Sequence, residues 1–376
     1  MKPGFVTLAT VLSLIAPSSS ASPHSPASPY ASPPPRVEVA SDGKGFVLVP
    51  SGKAFVPWGF NYDRDSRFRL IEEYWDAEWA TVEQDFREMK ELGANVVRVH
   101  LQFARFMDAP DAPNEANLAR LERLVRLAED LGLYLDLTGL GCYRRKDAPG
   151  WYDALPEAGR WAAQARFWEA VARACADRPG VFCYDLMNDP VVSGDRRPPG
   201  EWVHPFAMEG LHYVQFVNLD PAGRERPEIA LQWTRQMVAA IRKYDRRHLV
   251  TIGLIPIELG RNKPEEASGF VPAKIGPELD FLSIHVYPRR GELGAAVEMV
   301  ERFGEAGKPV VIEETFPLHC DAKELGAFIE RSRGPAAGWI GFYWGKTPAE
   351  LKASDKLADH LTLAWLELFR AMDPNR

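Results

Sequence analysis

The stretch VFCYDLMNDP, residues 181–190, decides how the chain folds. Apart from Asp185, everything from Val181 to Met187 is apolar, on both alternating sets of side chains. A strand points successive side chains to opposite faces, so this one is read as buried on both. Seven further runs read the same way: FVPWGFNY (55–62), GANVVRVHL (93–101), LGLYLDLTGLG (131–141), HLVTIGL (248–254), LDFLSIHVYP (279–288), PVVIEETF (309–316) and GWIGFYWG (338–345). Amphipathic helical patterns separate them. Val82, Phe86, Met89 and Leu92 fall on one helical face, as do Leu118, Leu121, Val125 and Ala128. Further helices are expected near 160–176, 227–244, 294–304, 321–332 and 356–371. Doubly buried strands alternating with helices imply a parallel sheet, and eight such units close into a (β/α)8 TIM barrel. An open doubly wound sheet is the rival, but no glycine-rich dinucleotide fingerprint follows any of the runs.

The barrel is expected within a domain over 37–376, preceded by two other segments. Lys2, the apolar stretch Phe5 to Ala16 and the small residues Ser19-Ser20-Ala21 read as a signal peptide over 1–21. Residues 22–36 hold six prolines and four serines, too little apolar surface to fold, and read as a linker. Turn signals at Asp42-Gly43 and Ser51-Gly52 between short alternating runs suggest a short N-terminal β-hairpin.

Composition narrows the function. The formal charge of −7 comes without a basic stripe, which argues against nucleic acid as a partner. No run after the leader is long and apolar enough for an integral membrane segment, and the signal peptide implies that the mature protein is exported, to the periplasm or the medium. The four cysteines lack metal-ligand spacing and read as free thiols. No metal and no other cofactor is expected.

In such a barrel the chemistry lies at the carboxyl ends of the strands. Those ends carry Asn61, Arg98, Asn188, Asp189, His285, Tyr287, Glu314 and Trp344. His285 and Tyr287 are two apart and share a strand face, as do Arg98 and His100. Each has an ordinary reading alone. Asn188 could cap a loop, His285 could be a core imidazole, Arg98 could neutralise Asp136 or another buried acid, and Trp344 could close the core. Of the adjacent Glu313 and Glu314, one is expected to point inward and the other to pair at the rim. Two carboxylates at separate strand ends, however, are what glycosidic-bond cleavage needs.

The ordered series Arg98, Asn188-Asp189-Pro190, His285-Val286-Tyr287, Glu314 and Trp344 resembles glycoside hydrolase family 5, the cellulase and mannanase family of clan A, over roughly residues 50–350. The resemblance implies a retaining hydrolase of β-linked glucan or mannan, an oligo- or polysaccharide substrate and a double displacement, and the leader implies that it is secreted. By that resemblance Glu314 is the nucleophile, Asn188 binds the sugar 2-hydroxyl and Tyr287 hydrogen-bonds the nucleophile. Arg98 supports it, His285 orients groups near the acid, and Trp344 floors the cleavage subsite.

One position departs from the pattern. The family's acid/base is a glutamate, and here it is Asp189. Intrinsic pKa differs by only about 0.4 units between the two acids. Reach matters more, because a methylene is worth on the order of 1 Å and such a misplacement can cost about a hundredfold. The competing reading is therefore a catalytically weakened or inactive carbohydrate-binding protein on the same barrel. The aromatics Trp58, Trp151, Tyr152, Trp202, Phe206, Tyr213 and Phe216 are candidate sugar platforms near the mouth. The long segment 191–226 reads as a wall of the cleft.

Overall fold

The computed structural model describes residues 34–256, 268–342 and 345–375. The signal-peptide expectation, most of the linker and Trp344 lie outside the described residues. Eight parallel strands close into a barrel. They are β1 (Trp58–Tyr62), β2 (Val96–Gln102), β3 (Tyr134–Gly141), β4 (Val181–Asn188), β5 (Leu249–Leu254), β6 (Leu282–His285), β7 (Val310–Thr315) and β8 (Gly338–Gly341). Every residue of the eight is buried, as their two-sided apolar pattern requires.

The helices follow in turn: α1 (Trp79–Glu91), α2 (Glu115–Leu131), α3 (Glu157–Cys175), α4 (Arg226–Arg242), the single turn α5 (Pro272–Ile275), α6 (Leu293–Gly304), α7 (Ala322–Ser332) and α8 (Leu357–Ala371). Their limits have local causes. Asn114 caps α2 by accepting from the Asn117 amide, and Gly132, at φ 63°, ends it in the left-handed conformation. Asp321 and Glu324 form a reciprocal capping box at the start of α7.

The N-terminal element is larger than the expected hairpin. Strands Arg36–Val39, Phe46–Val49 and Lys53–Phe55 form a three-stranded antiparallel sheet, with both turn signals at its corners. Phe46 packs edge-on against Phe182 at 5.3 Å and Phe281 at 5.2 Å, and Phe55 meets Tyr134 at 5.1 Å. Phe182 and Tyr134 stand at the beginnings of β4 and β3, so this sheet plugs the amino-terminal end of the barrel. The opposite end holds the mouth.

Among the described residues no helix is long and apolar enough to cross a membrane. All four cysteines are unpaired, three of them buried.

Candidate active site

Arg98 on β2 stands at the centre of the carboxyl-terminal mouth, with no exposed surface. Its Nη1 donates to Glu314 Oε1 at 2.7 Å and Asn61 Oδ1 at 2.9 Å. Its Nη2 donates to Asp185 Oδ2 at 2.7 Å and Asn188 Oδ1 at 2.9 Å, with Glu313 Oε2 at 3.5 Å. A guanidinium suits this place because its planar fork presents several fixed donors and keeps its charge when buried. Residues from β1, β2, β4 and β7 are thus tied to one cation.

Two irregularities bring these groups together. Along β4 the pairing with β5 slips, Thr251 facing Asp185 while Gly253 faces Asn188. Simple alternation would set Asp185 and Asn188 on opposite faces; the slip lets both reach Arg98. Along β7 the register shifts beside Glu313 and Glu314, against both β6 and β8. Both glutamates therefore face the barrel interior, which corrects the expectation that one would pair at the rim.

Glu314 also accepts from the Tyr287 hydroxyl, through Oε2 at 2.6 Å. Burial raises its carboxyl above the ordinary value, and His285, Arg98 and the Tyr287 bond oppose that rise. Glu313 lies deeper and accepts from Ser283 Oγ at 2.9 Å. Burial works against its charge too, but Arg98 and the His285 and Asp136 contacts outweigh it and bring the carboxyl down to about 2.

Asp189 follows directly after β4, at φ 48°. A left-handed backbone is costly for a residue with a side chain and is tolerated where the surroundings fix it. Here the Asp189 amide donates to the Gly253 carbonyl at 2.9 Å. The bend sends the carboxyl to His285, whose Nδ1 lies 2.7 Å from Asp189 Oδ1 and 3.5 Å from Glu314 Oε2. Burial disfavours the imidazolium, but Glu314 and Asp189 more than offset this and push His285 up to about 10. One protonated ring therefore sits between the two carboxylates. Those two oxygens are therefore at most about 6 Å apart.

His100 behaves oppositely. Burial, then Arg98 and His285, hold it well below its ordinary value, so the ring is neutral. Its Nε2 lies 3.0 Å from Asn61 Oδ1 and 3.3 Å from Arg98 Nη1, and its Nδ1 lies 2.5 Å from the Tyr143 hydroxyl.

Beneath this layer the carboxylates of Asp136, Asp185 and Glu313 approach within 4.8 Å of one another. Arg98 supplies their countercharge. Burial, then Glu313 and Asp185, hold the Asp136 carboxyl well above the usual range.

Above the base lies a cavity of about 460 Å³, lined by Asp189, His285, Tyr287 and Glu314. The segment after β4 contributes Phe206, Met208, Glu209, Tyr213 and Val214, so it does form one wall. Several expected platforms are elsewhere. Trp58 stacks on Phe369 of α8 at 3.9 Å, on the outside of the barrel. Tyr152 and Trp202 are buried against each other, with the Trp202 indole donating to Asp153.

Of the sequence-derived site residues, the structure gathers Arg98, Asn188, Asp189, His285, Tyr287 and Glu314 into one contact network. It adds Asp185, Tyr143 and Glu313, which strand-end reading did not single out as site residues. The available signal was Asp185, the lone charge in an otherwise apolar run.

Residues 58–346 match the family model Cellulase (glycosyl hydrolase family 5). No curated protein sequence matches the chain. Among solved structures, the chain superposes on the exo-β-1,4-mannosidase Op5Man5 from Opitutaceae bacterium strain TAV5 with a TM-score of 0.63 and 16% identity. That match covers 90% of this chain and 62% of the mannosidase, so the chain spans under two thirds of that protein's length. The endo-1,4-β-mannanase from Rhizomucor miehei gives 0.61 and 17%, covering 89% and 99% of the two chains. The β-1,4-mannanase from the sea hare Aplysia kurodai gives 0.58 and 14%, covering 82% and 92%. At these identities the likeness to solved structures shows the fold.

Proposed function

The chain belongs to glycosyl hydrolase family 5, and on that premise we propose that it is a retaining hydrolase of β-linked glucosides or mannosides. Glu314 attacks the anomeric carbon while Asp189 gives a proton to the departing oxygen. A glycosyl ester to Glu314 forms as the glycosidic bond breaks. Water then adds to that carbon, its proton returns to Asp189, and Glu314 is released.

The observation that carries this reading is the shared imidazole. His285 Nδ1 stands within 3.5 Å of oxygens from both carboxylates, which holds the two acids close enough for the roughly 5–5.5 Å separation of retaining enzymes. Arg98 and Tyr287 each donate to Glu314, stabilising the ionised form that a nucleophile requires. Mannoside-active neighbours of the same fold support the β-mannoside option.

The test is turnover of aryl β-glucosides and β-mannosides, followed by NMR of the first-formed anomer. Retention with loss of turnover in Glu314→Gln supports the proposal. Inversion, or activity untouched by that substitution, would overturn it. Export rests on the leader Lys2 to Ala21 and is tested by sequencing the amino terminus of secreted protein.

A second reading has its own support, because the engaged oxygen of Asp189 is the one that meets His285. If that pair never releases a proton to a leaving group, the barrel binds glycosides and cleaves them poorly. Tight binding by the wild type without turnover would favour it.

A further inference from the structure

The mouth cavity is polar at its base and apolar over most of its wall. Glu314, Asp189, His285 and Tyr287 at the base are joined to one another. The other polar lining groups are also engaged. Arg64 pairs with Glu209 at 3.0 Å, and the Tyr213 hydroxyl donates to Asp63 at 2.9 Å. Among the described lining residues the rest are apolar, including Met208, Val214, Ile255 and Leu318 beside Phe206 and Phe342.

A second sugar at this wall would bring hydroxyls that must exchange water for protein partners. Among the described residues the wall's polar side chains are few and already paired, with only Arg64 Nε left buried without a partner, and an unpaired buried hydroxyl is penalised. Phe206 and Phe342 offer ring faces, but Met208, Val214, Ile255 and Leu318 lack the flat face on which a sugar stacks. They suit an alkyl or aryl group instead. The rim points the same way. Phe206 is 59% exposed and Leu318 is 53% exposed, large apolar side chains left in water beside the carboxylates. The cavity, of about 460 Å³, has room for a sugar ring together with a short apolar group.

We propose that this wall is an aglycone site, and that the favoured substrate carries an apolar group, alkyl or aryl, where a glycan would carry its next sugar. The proposal rests on the glycosidase reading for the sugar at the base. Binding at the wall does not require turnover, so the two can fail separately.

The experiment measures calorimetric binding of ethyl, butyl, hexyl and octyl β-glucosides and β-mannosides, below micelle-forming concentrations, to the Glu314→Gln protein. Cellotriose and mannotriose serve as comparison, and wild-type turnover of the same glycosides is followed in parallel. The expected result is affinity rising up to about fourfold per added methylene until the cavity is filled. Leu318→Ser and Phe206→Ser should flatten that slope. No dependence on chain length, with the trisaccharides bound more tightly than octyl glycosides, overturns the aglycone site even if glycosides are hydrolysed. A steep slope without any wild-type turnover keeps the aglycone site and overturns the hydrolase reading.

Discussion

Asp189 closes on His285 at 2.7 Å, through a carboxylate oxygen and ring Nδ1. A longer acid is not required for this contact, because the left-handed backbone at Asp189 turns the short side chain inward. The same ring nitrogen reaches Glu314 at 3.5 Å, so the two acids are coupled through one proton-bearing group. The predictions below follow from that coupling and from what surrounds it.

Glu314→Gln is expected to fold normally, since the amide keeps the shape of the side chain. Loss of the nucleophile should lower kcat/KM for an aryl β-glycoside by about 10⁴-fold or more. Steady-state kinetics and a thermal melt check both halves.

Asp189→Ala should distinguish leaving groups. A dinitrophenyl glycoside departs without protonation and should lose little in its first step. An alkyl glycoside needs the proton and should lose at least about a hundredfold. Asp189→Glu inserts a methylene where 2.7 Å already closes the bond, so a fall of about tenfold to a hundredfold is expected. A rate increase in Asp189→Glu would show that the short side chain is a defect.

Tyr287→Phe removes the 2.6 Å donor to Glu314. That bond favours the charged carboxylate, so its loss raises the Glu314 pKa further. The acid limb of the kcat/KM profile should move to higher pH, with about a tenfold loss near neutrality. An unmoved acid limb would count against Glu314 as the titrating group.

His285 carries a pH-dependent share of stability. Its folded value of about 10 lies above the ordinary value of 6.5. The contribution is complete below the unfolded pKa and is lost as pH rises through the folded one. Between about pH 6.5 and 10 the Tm of the wild type should therefore fall faster than that of His285→Gln. Melts across that window settle it.

Gly253→Ala tests how tightly the cluster is fixed. A Cβ there would lie 2.6 Å from Arg98 Nη2 and 3.0 Å from both Asp185 Oδ2 and His285 Nε2. Arg98 cannot retreat without breaking its bonds to Asp185 and Asn188. We expect a loss of about 1–3 kcal/mol in denaturant unfolding, with a clear drop in activity.

Much of this protein was legible in its residues. Eight doubly apolar runs between amphipathic helices require a buried parallel sheet, and the barrel satisfies that requirement. Polar residues at the strand ends then named Arg98, Asn188, Asp189, His285, Tyr287 and Glu314 before any geometry was known. By its sequence the N-terminal segment shows two strands of its three, because Lys53–Phe55 is too brief to show alternation. Trp58 looked like a mouth residue, yet it faces outward onto Phe369, a contact between residues far apart in the chain.

Sequence alone determined the strands, their order and the polar residues at their ends, because periodicity and apolar burial are local properties of the chain. Only the tertiary structure decided which groups meet. The slips along β4 and β7 break the two-residue alternation, so Asp185 joins Asn188 and Glu313 joins Glu314 around Arg98. The left-handed turn at Asp189 likewise depends on β5, whose Gly253 carbonyl holds its amide. Pairing with a neighbouring strand fixes both, and no strand's own sequence contains its neighbour.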